Sequence, residues 1–315
     1  MTSYSLGSLL GIDELLWCAS RVDPDDSIWI PETWGMECMG MISAVSHRSP
    51  CRRIGSSILN VYSRSPAALA MGAATLDTLS GGRFVLGLGA SSPAIVQGLH
   101  GMKYERPVRR VRECVEIVRM ALEGGRIDYA GEVYDLRGFS LLVRPPRRSI
   151  PVYLAAVNPG MMRLAWEVAD GVILYLRPPG EIRDTLRAMG GRRINVACQI
   201  ITAVSRDAPA AYERARRTLA FYVSVGAVYR EFLAAHGYAE QTRSIHSEYR
   251  RGGLEAARRA VPDAMLHSLT ACGTPRECAA AIGEFAAAGV DEPILQFNPV
   301  GDVSESFELL RRVLD

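Results

Sequence analysis

The sequence predicts an α/β chain folded as a single (β/α)8 barrel of the TIM type. Three observations carry this expectation. Eight short apolar runs alternate with longer amphipathic ones along the 315 residues. The apolar runs lack period-2 alternation, as strands covered on both faces do. The chain is 48% hydrophobic, enough for a large core, and its 22% charged content argues against disorder. An open doubly wound sheet is the alternative arrangement of the same units.

Strands are expected at 4–10, 27–31, 52–58, 83–89, 151–156, 171–176, 194–203 and 293–298. Helical stretches fall at 36–47, 65–79, 106–122, 160–169, 207–225 and 275–288. Ser65-Pro66 reads as a helix cap followed by proline at the first helical position. Thr274-Pro275 repeats that signal, and Glu277 adds an acid in the first turn. Gly289 stands where a helix-ending glycine belongs. One barrel domain over 1–315 is expected to carry two insertions. The first, about 123–150, holds Gly131-Glu132-Val133-Tyr134 and Pro145-Pro146 and reads as an excursion over the barrel top. The second, about 226–270, reads as extra helices.

A net charge of +2 gives no reason to expect nucleic acid or an acidic membrane as partner. No apolar run approaches the ~20 residues of a membrane span. Asp13 and Glu14 interrupt the first apolar stretch, which argues against a signal peptide. Seven scattered cysteines without a C-x-x-C pair fit reduced thiols in a cytoplasmic protein. No metal site is expected: His236, His246 and Glu248 read as a polar helix surface. Lys103 is the only lysine, so Schiff-base chemistry would have to use it.

Barrel active sites lie at the carboxyl ends of the strands. That rule selects Gly7 to Leu10, Glu32 to Trp34, Ser57 to Asn60, Ala90 to Ser92, Val157 to Gly160, Arg177 and Gln296 to Asn298. Glu32 is either a proton-transfer or cofactor-anchoring carboxylate, or an acid near the start of the next helix. Asn158-Pro159-Gly160-Met161 opens a helix directly after a buried strand. Its free N–H groups suit phosphate or another anion, or else Asn158 simply caps a turn. Gly87-Leu88-Gly89 is not a G-x-G-x-x-G fingerprint, since Ser92 replaces the third glycine. Its small residues would still let a ligand approach the backbone.

Four stretches in order resemble the luciferase-like monooxygenase superfamily. They are NVYSRSP at 60–66, SPAALAMGAATLDTLSGGRFVLGLGA at 65–90, AWEVADGVIL at 165–174 and CGTPRECAAAIGEFAAAGVDEPIL at 272–295. The resemblance is closest to the deazaflavin branch, which uses coenzyme F420 and includes methylenetetrahydromethanopterin reductase. It covers nearly the whole chain. It implies a non-prolyl cis peptide at Ser57–Ile58, behind the cofactor ring. It implies a phosphate site at Val157, Asn158, Pro159, Gly160 and Met161, with Arg177 in reach of the phosphate or the cofactor tail. Asn60, Ala90 and Ser91 complete the implied cofactor set, and Glu32 is the catalytic candidate.

Departures are equally informative. Glu32 and Thr33 stand where the reductase has an aspartate and a histidine, and the acid of its first strand is replaced near Gly7. Ser92 stands where related glucose-6-phosphate dehydrogenases carry a glutamate. The resemblance therefore implies a kept cofactor site with changed substrate-side acids. The leading expectation is hydride transfer between C5 of coenzyme F420 and an unidentified small-molecule substrate. An FMN-dependent monooxygenase is the second reading, and a non-catalytic cofactor-binding or structural barrel the third. Relatives of this kind pair as homodimers through barrel helices, and the apolar stretch Met36 to Val45 is compatible with a buried face.

Overall fold

Strands buried on both faces require a sheet covered on both sides. The computed structural model, which describes residues 2–7, 9–147 and 149–314, meets that requirement by closing the sheet on itself. The barrel strands are β1 (Ser3–Ser5), β2 (Ser27–Ile30), β3 (Arg53–Ser56), β4 (Phe84–Gly89), β5 (Val152–Ala155), β6 (Gly171–Tyr175), β7 (Asn195–Val204) and β8 (Glu292–Phe297). They pair in parallel in sequence order, and β8 returns to β1 with Tyr4 opposite Leu295. The open-sheet alternative is excluded. The strand expected over 4–10 ends at Ser5, because the chain turns at Gly7, whose carbonyl accepts from the Leu10 N–H at 3.0 Å.

The outer ring is α1 (Ile12–Arg21), α2 (Cys38–Arg48), α3 (Pro66–Leu79), α4 (Pro107–Glu123), α5 (Pro159–Val168), α6 (Pro179–Ala188), α7 (Pro275–Ala287) and α8 (Val303–Arg311). The caps act as their sequences indicate. Ser65 Oγ accepts from the Ala68 N–H at 3.2 Å. Thr274 and Glu277 form a reciprocal capping box. Helices α1, α6 and α8 are additional to the expected set. In α6 Ile182 is buried and Leu186 is half-buried against the core, a narrow apolar stripe on a short, mostly polar helix.

The barrel interior is filled by Trp29, Val85, Tyr153, Ile173, Ala197 and Ile294. Two large rings, Trp29 and Tyr153, lie 5.6 Å apart between centroids. They fit because glycines face them: a Cβ at Gly55 would overlap the Trp29 ring, and one at Gly171 would lie 2.7 Å from the Tyr153 ring. At the amino ends of the strands the buried Glu292 carboxylate accepts from Ser3 Oγ (2.7 Å), Trp29 Nε1 (3.0 Å) and Arg53 Nη1 (2.7 Å). One side chain of β8 thus ties β1, β2 and β3. Asp26, Asp170 and Asp291 each precede a strand and accept a backbone N–H from a neighbouring segment, at Thr2 (2.6 Å), Val152 (2.9 Å) and Val196 (3.0 Å).

Two additions interrupt the barrel. Ile127–Ala130 and Asp135–Phe139 form an antiparallel pair. Its turn is held by the buried Glu113 of α4, which accepts from the N–H groups of Glu132, Val133 and Tyr134 at 2.8–3.0 Å. After β7, helices Ala208–Val225, Ala227–Leu233, Ala239–Arg259 and Asp263–Leu269 form a separate layer. The stretch expected as a barrel helix at 207–225 belongs to this layer, while α7 takes the barrel position. No described helix is long and apolar enough to cross a membrane. All seven cysteines are buried free thiols. Burial pushes Cys18, Cys114, Cys198 and Cys278 up to about 12, so they stay protonated and unreactive.

Two outcomes follow for stability. Glu292→Ala should lower unfolding free energy in urea by about 3 kcal/mol, the cost of stranding buried partners of a charged group. An unchanged midpoint would remove Glu292 from this role. Gly55→Ala should cost ~1–3 kcal/mol through overlap with Trp29. By contrast Gly283→Ala, in α7 with open space at its Cβ, should raise stability by ~0.5–1 kcal/mol.

Candidate functional site

The carboxyl ends of β3 and β4 meet at unusually close range. Ser56 Oγ donates to the Gly87 carbonyl and accepts from the Gly87 N–H, both at 2.9 Å. A Cβ at Gly87 would collide with the Ser56 carbonyl oxygen, and one at Gly89 would lie 2.8 Å from Ile58 Cδ1. The glycines of Gly87-Leu88-Gly89 are therefore required by β3 itself, not by a ligand. The Ser57–Ile58 peptide bond is cis, as the resemblance implies. Ile58 packs on the aromatic barrel interior. Beyond it, Asn60 Oδ1 accepts from the Tyr62 N–H at 2.8 Å. Ser57 Oγ and Asn60 Nδ2 are buried and have no hydrogen-bond partner among the described residues. Two polar atoms thus stand unsatisfied at the barrel mouth, a costly arrangement unless a ligand meets them.

Beside them lies a pocket of about 440 Å3 lined in part by Glu32, Trp34, Glu37, Arg64 and His100. The Glu32 carboxylate is not a free acid. Both its oxygens accept from the Arg64 guanidinium at 2.7 Å, a bidentate pair. Arg64 also donates to Glu37. These carboxylates, the Glu32 hydrogen bonds first, hold Arg64 even more firmly protonated than usual. Glu37 caps α2 through the Met39 and Gly40 N–H groups, and Glu32 Oε1 also accepts from the Cys38 N–H at 3.4 Å, so Glu32 shares the helix-start role with Glu37.

At the end of β5, which pairs directly with β4, Asn158 caps α5, its Oδ1 accepting from the Met161 N–H at 2.9 Å. Asn158 and Pro159 are exposed, Gly160 is half-buried and Met161 is buried. The helix start is thus open to solvent. Arg177 is 3% exposed, donates to Glu181 Oε1 at 2.6 Å and to the Val157 carbonyl, and lies 4.4 Å over the Phe232 ring. Its guanidinium fastens the Val157 segment, while its Nε is buried without a hydrogen-bond partner among the described residues. The i,i+4 spacing to Glu181 on the first turn of α6 is the sequence signal for that pairing.

Ala90 is buried and Ser91 adopts φ 58°, a left-handed turn that carries the chain away from β4. Ser92 caps the short helix Pro93–Gly98 through the Ile95 N–H at 3.4 Å. Tyr175 donates to Gln296 Oε1 at 2.8 Å, and Thr218 of the inserted layer lies 2.6 Å from Asn298 Oδ1. Tyr222 and Tyr229 of that layer pack edge-on to Tyr175 at 5.0 and 5.4 Å. Burial pushes the Tyr175 phenol well above its ordinary value, so it remains a donor. Trp34 meets Phe221 at 5.9 Å. The layer after β7 therefore covers the β6–β8 side of the mouth and leaves the β2–β4 side open. Of the segment Gly7 to Leu10, Ser8 lies outside the described residues.

The structure thus gathers Glu32, Ser57, Ile58, Asn60, Ala90 and Ser91 at the ends of β2, β3 and β4, and Val157 to Met161 at the end of the adjacent β5. Sequence reading missed Arg64, Glu37, His100 and the Tyr175–Tyr222–Tyr229 cluster. Arg64 was visible inside NVYSRSP, but its partner Glu32 is 32 residues away.

Comparisons with known proteins agree with this architecture. The sequence model of the luciferase-like monooxygenase family matches residues 26–292. The 5,10-methylenetetrahydromethanopterin reductase of Archaeoglobus fulgidus is 28% identical over 301 residues, covering 90% of this chain and 89% of that protein. A putative coenzyme F420-dependent oxidoreductase of Mycobacterium tuberculosis is 28% identical over 295 residues, 84% of each chain. The solved coenzyme F420-dependent tetrahydromethanopterin reductase from Methanopyrus kandleri superposes with a TM-score of 0.87 at 23% identity, covering 99% of this chain and 97% of that one. With a family match over most of its length and the closed barrel seen here, the chain belongs to the luciferase-like monooxygenase family.

Proposed function

We propose that this protein is an oxidoreductase that transfers a hydride between coenzyme F420 and a small organic substrate. The observation that carries the reading is the pair of unsatisfied buried atoms, Ser57 Oγ and Asn60 Nδ2, at a mouth that also presents the open start of α5. The similarity to a methylenetetrahydromethanopterin reductase and to a putative coenzyme F420-dependent oxidoreductase, each at 28% identity, supports it. In this reading Ser57, Ile58, Asn60, Ala90 and Ser91 hold the ring and its near side chain. Val157, Asn158, Pro159, Gly160 and Met161 form the phosphate site, where the N–H groups of Asn158 and Gly160 and the helix dipole attract the anion; Pro159 has no N–H, and that of Met161 is held by Asn158 Oδ1. The bound deazaflavin supplies the hydride-carrying carbon, C5. The chain's own residues supply orientation: Ile58 gives one apolar face, and the tyrosine cluster excludes water from the far side. Glu32 serves as the fixed anion that holds Arg64 over the pocket, where a substrate would enter.

FMN is the second reading, supported by the monooxygenase membership of the family itself. Reconstitution distinguishes the two. The purified chain should quench and retain coenzyme F420 and release FMN on gel filtration. Retention of FMN alone would establish the second reading, and retention of neither would leave a non-catalytic barrel.

Two further outcomes test the residue roles. Arg177→Ala should weaken cofactor binding about tenfold by loosening the Val157 segment, and Glu181→Gln should move affinity in the same direction. If only Arg177→Ala acts and its effect fades with salt, Arg177 touches the ligand directly. A homodimer also belongs to this reading, within a cytoplasmic setting. The Met36 to Val45 stretch is largely used inside the subunit, since Met41, Ile42 and Val45 are buried. Exposed Ile12 and Trp17 of α1 and Met71 of α3, on either side of α2, offer the face instead. Sedimentation as a monomer from micromolar to hundred-micromolar concentration would exclude the dimer.

A further inference from the structure

A second concavity, of about 730 Å3, lies in the layer inserted after β7. Its walls are cationic: Arg230 on one helix faces Arg243, His246, Arg250 and Arg251 on the next. Its floor is small, formed by Ala234, Ala239 and the buried Thr242. The lining positions of the second helix, 239, 242, 243, 246, 247, 250 and 251, recur at three- and four-residue spacing and share one face. Ile245 is buried on the other side, beneath that cationic face, and the helix breaks at Gly252-Gly253 just past it.

The charges in this cavity are poorly balanced. Arg230 is fixed by donating to the carbonyls of Val223 and Ser224, each at 3.1 Å, which leaves its positive charge without a carboxylate. Arg251 pairs with Glu248 at 3.1 Å. Arg243 and Arg250 have no ion pair or hydrogen bond among the described residues. Glu231 is the single acid in the lining, and it pairs with none of them. His246 Nδ1 lies 3.2 Å from the Ser224 carbonyl, so Nδ1 carries the proton there and Nε2 is left for the cavity. Elsewhere this chain joins its arginines to carboxylates repeatedly, as in Arg216 with Asp263 and Arg217 with Glu255. A concave surface with four guanidinium groups and one carboxylate focuses a positive potential that water alone screens poorly.

We propose that this cavity is a binding site for a small polyanion carrying two or more phosphate or carboxylate groups. Arg243 and Arg250 stand seven residues apart on one helix, about 10 Å along its axis. A ligand with separated anionic groups can pair with each guanidinium fork at once. The site is distinct from the barrel mouth. It lies on the outer side of the helix Ala227–Leu233, whose Tyr229 and Phe232 face Tyr175 and Arg177. It does not rest on the hydride-transfer reading.

Isothermal titration of the purified full chain with inorganic tripolyphosphate and with citrate, at constant ionic strength, tests the proposal. Saturable one-site binding of either is expected, and which of them binds more tightly identifies phosphate or carboxylate as the preferred group. Arg243→Ala combined with Arg250→Ala should weaken that binding at least tenfold. Both side chains are exposed, and circular dichroism verifies that the variant folds. Arg206→Ala, an exposed arginine outside the cavity, should change nothing. Absence of saturable binding to both anions overturns the proposal. So does an affinity untouched by the double substitution, or one reduced equally by Arg206→Ala.

Discussion

The buried carboxylate of Glu292 is the contact on which the rest of the architecture depends. A parallel barrel has no hairpins to set its closure, so its first and last strands must find each other across the whole chain. Here the closing strand begins with a carboxylate that takes hydrogen bonds from β1, β2 and β3 at once. That fixes the register of β8 against β1. It also orients the Trp29 indole, which fills the barrel and forces glycine at position 55. With Trp29 in place, the interior is solid up to Ile58, and the cis bond and unsatisfied atoms sit on that plug. The chemistry at one end of the barrel is thus supported by an ion pair at the other.

The sequence stretch most specific to the family is largely structural in its work. Arg83 donates to the carbonyls of Ser80, Ser49, Cys51 and Ser46, stitching the α2–β3 and α3–β4 connections together. Asp77, fully buried in α3, pairs with Arg147, which also donates to the Phe84 carbonyl. None of these groups faces the mouth pocket. A motif that identifies a family need not mark its active site, and here it marks the geometry that holds β4 in place.

The fold was legible because buried parallel strands write themselves as apolar runs and because two helix caps are spelled by Ser65-Pro66 and Thr274-Pro275. Helix α6 was not: Ile182, Leu186 and Met189 recur at helical spacing, but Pro178-Pro179 and Gly190-Gly191 bracket so short a stripe that it resembles a loop. At the site, the helix start at Asn158 was legible from local chemistry alone. Arg177 was legible as a mouth residue, but its contact with Phe232, 55 positions later, was not. Gly87 and Gly89 pointed to close approach, yet the approaching group is the protein's own third strand. The Glu32–Arg64 pair joins two loops brought together only by barrel closure. Long-range pairings of this kind leave no trace in spacing.

The layer over the mouth leaves β7 at Val204 and returns through the short strand Thr270–Gly273, which pairs in register with Ile201–Val204. The Ser205 N–H donates to the Gly273 carbonyl at 3.0 Å, so the two ends of the segment are stapled side by side. A loop whose ends are already joined can lengthen, shorten or be replaced at little entropic cost to the frame beneath it. Evolution can therefore exchange this cover as a cassette, altering which molecules are admitted while the eight strands beneath stay as they are.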